Sequence, residues 1–136
     1  MKIFKLTLLA FCIMICAGCT VDDEGTPALH GEWKLVHVMG GIAGVDDTFP
    51  EGTITWKFNT SSQTVTVDNT NTDESMQDFM PSGVYDYNFA VNTATPEACS
   101  DVIVIDGVSF GCMSVDSDEL VFSQIESDGF ILNLIR

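Results

Sequence analysis

The chain has 136 residues, 20 of them acidic against five Lys or Arg, for a formal net charge of −15. A surface of that sign repels polyanions, which excludes nucleic acid as a partner, and the length allows one domain. Hydrophobic residues make up 46% and aromatic residues 10%, too much apolar material for an intrinsically disordered chain.

The first element is a leader. Met1 to Lys5 is short and basic, residues 6–17 form an apolar run of twelve, and Gly18 precedes Cys19. Twelve residues are too few to cross a hydrocarbon core, which takes about 20, but they suit the apolar region of a secretory signal. Ala17-Gly18-Cys19 resembles the lipobox of bacterial lipoproteins, with Cys16 at the position where that motif usually carries an aliphatic residue. The resemblance implies a signal peptide over 1–18, cleavage before Cys19, and lipidation of Cys19 by diacylglycerol and a further acyl chain such as palmitate. It also implies anchorage in a bacterial envelope, in the outer membrane. The acidic Asp22-Asp23-Glu24 that follows reads equally as a tag for export to the cell surface or as a solvated tether. Residues 19–29 are then anchor and linker, and 30–136 the folded domain. Lys2 and Lys5 leave with the leader, so three basic residues face 20 acidic ones in the mature chain, a charge of about −17.

Cys12 and Cys16 also leave, and Cys19 is consumed by lipid. The remaining pair, Cys99 and Cys112, predicts one disulfide in an oxidising compartment. Ile103 and Ile105 share the parity of Cys99, and Phe110 that of Cys112, which places the bridge on the apolar side.

From residue 30 onward apolar and polar residues alternate, without a sustained helical stripe. Strands are predicted over 32–39, 53–58, 63–68, 84–91, 99–105, 108–115, 119–125 and 129–136. In the first, Trp33, Leu35, His37 and Met39 share a face. Asp106-Gly107 predicts a two-residue type I′ hairpin. A regular ladder from that turn does not oppose Cys99 to Cys112, so a bulge or a shifted loop is expected there. Two connections are longer: 40–52, and 69–83 with one helical turn near 74–80. The fold class is therefore all-β: an eight-stranded antiparallel up-and-down meander barrel, whose closure removes exposed strand edges.

Gly31-Glu32-Trp33 at the start of the first strand resembles the Gly-x-Trp signature of lipocalins, and of the lipocalin-like domains of bacterial envelope lipoproteins in particular. In that superfamily the Trp plugs one end of the barrel and an Arg near the last strand packs over it. The resemblance assigns these barrel-closing roles to Trp33 and Arg136. It also implies a small apolar ligand in the barrel mouth, between 40–52 and 69–83. His37, Trp56, Phe58, Tyr85, Tyr87 and Phe89 are the pocket candidates, although such an aromatic set more often simply fills a small barrel.

No catalytic constellation is legible. No Gly-x-Ser-x-Gly occurs, and neither His30 nor His37 lies in a recognisable motif. Asp68, Asp73 and Glu74, or Asp116, Asp118 and Glu119, lack the twelve-residue calcium-loop spacing with its central Gly. No enzyme activity, cofactor or metal is expected. Two readings remain: a binder of a small hydrophobic ligand, or a filled barrel that docks a surface protein partner. The second is motivated by Met76, Phe79 and Met80 in the long 69–83 segment.

Overall fold

The computed structural model describes residues 29–124 and 128–136. The leader expected over 1–18, the expected lipidation site Cys19 and the expected linker residues 20–28 lie outside these. Nine strands form one antiparallel sheet that closes on itself. They are β1 (Gly31–Gly40), β2 (Val45–Thr48), β3 (Ile54–Asn59), β4 (Thr64–Asn69), β5 (Gly83–Val91), β6 (Asp101–Ile105), β7 (Val108–Val115), β8 (Glu119–Ser123) and β9 (Phe130–Ile135). From β3 to β9 each strand pairs with its sequence neighbour, and β9 returns to β1 through Leu35↔Leu134 and Val38↔Leu132. This is the expected up-and-down barrel of eight strands, with one strand more.

The additional strand, β2, arises inside the segment expected to be the 40–52 connection. It pairs with the far half of β1 (Gly40↔Val45, His37↔Thr48), while β3 takes the near half (Lys34↔Thr55, Gly31↔Phe58). The two lie along the same side of β1 as one strand broken by residues 49–53. Pro50, which has no N–H to give a ladder, and Gly52, with φ +83°, make the break. The helical turn expected near 74–80 is absent: that stretch has only a turn around 74–76.

Alternation decides what is buried. Trp33, Leu35, Ile54, Trp56, Phe58, Val65, Val67, Tyr87, Ile103, Ile105, Leu120, Phe122, Leu132 and Leu134 all point inward and are buried. Leu29, at the end of the expected linker, is buried too.

Two bulges overrule the simple period-two reading. The β1–β9 register shifts between Leu35 and His37, so Val38 takes the buried face and His37 turns outward. His37 therefore does not share a face with Trp33. In the β6–β7 hairpin, Asp106 and Gly107 both have positive φ, as a type I′ turn requires, and Val104 opposes Ser109. The next inward rung is Ile103↔Gly111, with Phe110 as the extra residue. Gly111 has φ +82°, and a Cβ there would run into the Ser123 carbonyl, so only glycine suits this bulge. Beyond it Phe110 stays inside, and Cys112 faces out beside Val102 and Ser123.

The disulfide Cys99–Cys112 forms as expected, with Cα atoms 5.9 Å apart. It lies on the outer face, however, and not on the apolar side. The bulge inverts the parity of everything after Phe110.

Candidate functional site

The closed end is built around Trp33. Its indole Nε1 donates to the Leu29 carbonyl at 2.9 Å, and the Arg136 guanidinium lies 4.3 Å from the ring centre. Arg136 also donates from Nη2 to the His30 carbonyl and from its backbone N–H to Asp118. First and last strands are thus tied at this end by a cation–π contact worth on the order of 1 kcal/mol.

The aromatic residues expected to line a ligand pocket instead pack on one another. The Trp56 ring sits 5.5 Å from Phe110 and 5.9 Å from Phe122, and Phe58 meets Tyr87 edge-on at 5.5 Å. Burial raises the Tyr87 phenol above its ordinary pKa, through desolvation of the ionised form. One atom in this core is unsatisfied: the Trp56 Nε1 is buried and has no hydrogen-bond partner.

The opposite end is capped by residues 70–82. Asp78 accepts from the side-chain amides of Asn69 and Asn71 at 2.9 and 3.1 Å, and Asn69 also donates to the Met80 carbonyl. Asp47 on β2 accepts from the Gln77 N–H at 2.7 Å. The Met80 N–H bonds back to the Asp78 carbonyl across Phe79, whose φ is +62°. That tight, left-handed turn aims Phe79 and Met80 into the mouth. There Phe79 packs 5.1 Å from Phe130 and 5.9 Å from Phe110, and Met80 is buried. The segment that carried the apolar triplet Met76, Phe79 and Met80 is therefore a plug on its own barrel.

Asp73 organises the start of this cap. Its carboxylate accepts from the Ser75 hydroxyl at 2.6 Å and from the Ser75 N–H at 3.0 Å. Those two bonds, the hydroxyl first, hold its pKa below the ordinary value. A depressed carboxylate stabilises the fold above its unfolded pKa, and that contribution is lost as pH falls through the folded one. Ser75→Ala is expected to move the Asp73 midpoint upward in a carboxyl NMR titration. An unchanged midpoint would show that the hydroxyl bond does not set it.

The other pocket candidates scatter. His37 is half-buried on the outer face, with Nε2 2.6 Å from the Asp46 carboxylate of β2. The Tyr85 hydroxyl donates to the Pro81 carbonyl at the edge of the cap. Phe89 is exposed at the closed end, edge-on to Tyr87 at 6.0 Å. Only Trp56, Phe58 and Tyr87 come together. Among the described residues no three His, Cys, Asp or Glu side chains gather as metal ligands.

A cleft of about 540 Å³ lies outside the barrel. Val102 and Cys112 form its floor, residues 92–95 one wall, and Gln124 with Gly129 the other. The wall is held by Asn92, a buried amide that donates to the Thr95 and Cys99 carbonyls and accepts from the Thr95 N–H. Gln124 donates to the Ser109 carbonyl across the opposite side. Among the described residues Asp128 is the one charged residue lining it. No family model, curated protein or solved structure matches the chain.

Sequence reasoning had no access to this cleft. It exists because the bulge at Phe110 turns Cys112 outward, so the disulfide folds residues 92–99 back over the outer face. The signal present in the sequence was the mismatch between the Asp106-Gly107 register and the cysteine spacing.

Proposed function

We propose that the chain is a non-enzymatic envelope lipoprotein, anchored through Cys19, whose lipocalin-like barrel is filled and works through its outer surface. The observation that carries this is the packing of Trp56, Phe58 and Tyr87 on Phe110 and Phe122 where a ligand cup was expected, under a cap of Phe79 and Met80. The lipocalin-like part is supported by Arg136 stacked on Trp33, and the anchor by the Ala17-Gly18-Cys19 motif. Ten residues separate Cys19 from Leu29, a tether that reaches at most about 35 Å.

One observation favours the alternative, a small apolar ligand in the barrel mouth: the buried Trp56 N–H without an acceptor. A buried unmade hydrogen bond costs roughly 1–3 kcal/mol, and a ligand oxygen would relieve it. Reaching it requires the 70–82 cap to leave the mouth.

A single preparation tests both parts. Full-length protein and its Cys19→Ser variant are expressed with labelled palmitate, and the delipidated mature domain is then titrated with fatty acids and apolar fluorophores. Label on the wild type alone, with indole fluorescence unmoved across the panel, is the expected result. Quenching that saturates would replace the filled-barrel reading with the ligand reading, and label on both forms would remove the Cys19 anchor.

A further inference from the structure

β5 outruns its neighbour. Its register with β4 stops at Thr64↔Asp86, followed by one bond from the Tyr87 N–H to the Gln63 carbonyl. With β6 it continues to Val91↔Asp101. On that side Asp86 accepts from the Asp106 N–H, and the Asn92 N–H donates to Ser100. In an antiparallel ladder backbone groups point alternately to the two sides. The even residues of β5 therefore serve β6, and Tyr87, Phe89 and Val91 turn their N–H and C=O groups the other way. Tyr87 finds Gln63. Among the described residues no strand lies beside Phe89 or Val91.

The side chains on this edge are also uncovered, Phe89 being 41% and Val91 73% exposed. Natural sheets usually guard such an edge with Lys, Pro or a bulge. Asn88-Phe89-Ala90-Val91 has none of these. On its β4 side the β5 ladder ends at Thr64↔Asp86, so among the described residues the stretch beyond it is left open.

We propose that the β5 edge at Phe89–Val91 receives an extended segment of a partner protein, apolar at alternate positions and carrying Lys or Arg between them. Backbone bonds to Phe89 and Val91 provide the pairing, and strand addition of this kind reads alternate side chains. Charge decides the occupant. Asp86 and Asp101 are exposed on either side of the edge, and Asp128 lines the cleft to which Val91 also belongs. Among the described residues the basic ones lie elsewhere: Lys34 is 3.6 Å from Glu51, Arg136 covers Trp33, and Lys57 sits on β3. A second copy brings the same strong negative charge and is repelled, whereas a basic segment is drawn in.

This rests on the reading that a filled barrel works through its surface, and its test is independent of the barrel interior. The probe is a synthetic peptide of alternating Val and Lys, with a counterpart carrying Glu for Lys, added to the mature domain. Amide hydrogen exchange followed by NMR is expected to slow at Phe89 and Val91 with the Lys peptide, leaving Asn88 and Ala90 unchanged. Val91→Pro removes an N–H that β6 does not use, and is expected to weaken binding about tenfold. Phe89→Ser serves the same purpose should the proline disturb the fold. Equal binding of both peptides, or full binding by both variants, overturns the proposal. So does protection of these two amides without peptide, which would mean that the chain itself covers the edge: concentration-dependent protection marks a second copy, and concentration-independent protection marks residues outside those described. Lipophile quenching of the indoles would strike the filled-barrel reading alone, without touching these amides.

Discussion

Trp33→Ala is expected to destabilise the protein by about 5 kcal/mol, the upper end for emptying a buried aromatic site. Three losses coincide. The side chain is fully buried, its Nε1 leaves the Leu29 carbonyl at 2.9 Å without a donor, and Arg136 loses the ring it covers at 4.3 Å. Domains of this size have total stabilities of about 5–15 kcal/mol, so the variant should be largely unfolded at modest urea concentrations. Two controls separate the contributions. Arg136→Ala should cost about 1–2 kcal/mol, since it removes the cation–π contact together with the Nη2 bond to the His30 carbonyl. Trp33→Phe should cost more than Trp56→Phe, because the first substitution orphans a carbonyl and the second removes a donor that has no partner. Urea denaturation followed by fluorescence measures all four. Equal losses for the two Trp→Phe variants would mean that hydrogen bonding at the closed end contributes nothing.

The second large effect is expected from the disulfide. Replacing Cys99 and Cys112 together by Ala should cost about 3 kcal/mol, chiefly by releasing the unfolded chain from a closed loop. The two cysteines are 13 residues apart. Because the bridge lies on the outer face, the core should survive: indole emission of the folded double variant should match that of the wild type. The wall of the outer cleft should loosen instead, seen as faster amide exchange over residues 92–99. A shift in indole emission with unchanged exchange in that loop would place the bridge's influence inside the barrel.

The filled interior follows from the bulk of the side chains at the inward positions. An eight-stranded barrel has an interior just wide enough for side chains to fill. The inward positions here carry Trp33, Trp56, Phe58, Tyr87, Phe110 and Phe122, all at most 4% exposed. Phe79 and Met80 then close the mouth. What is left for recognition is the exterior, where the 92–99 loop and the overhanging end of β5 break the regularity of the wall.

Eight of the nine strands and their order were legible from residues alone. Period-two alternation set each of the eight strands to within two residues of its observed ends. The turn residues separating them are local signals too, since Asp106-Gly107 needs only its own backbone to prefer a type I′ turn. The disulfide was legible by elimination, and the Trp33–Arg136 contact through the resemblance of Gly31-Glu32-Trp33 to the lipocalin signature.

What the sequence could not decide is which way residues point after a bulge, because one extra residue inverts every later position while leaving the pattern of letters unchanged. His37 and Cys112 were both assigned to the wrong face for that reason. The same holds for β2, whose central Asp46 and Asp47 are disfavoured in strands and which becomes a strand because β1 offers it a ladder. Whether Phe79 and Met80 face solvent or the barrel mouth depends on bonds from Asp47, Asn69 and Asn71, two of them to partners distant in sequence. The chain's own pattern therefore determined an acidic, disulfide-bridged barrel, and long-range pairing alone decided that its interior is filled and its outer wall carries the cleft and the open edge.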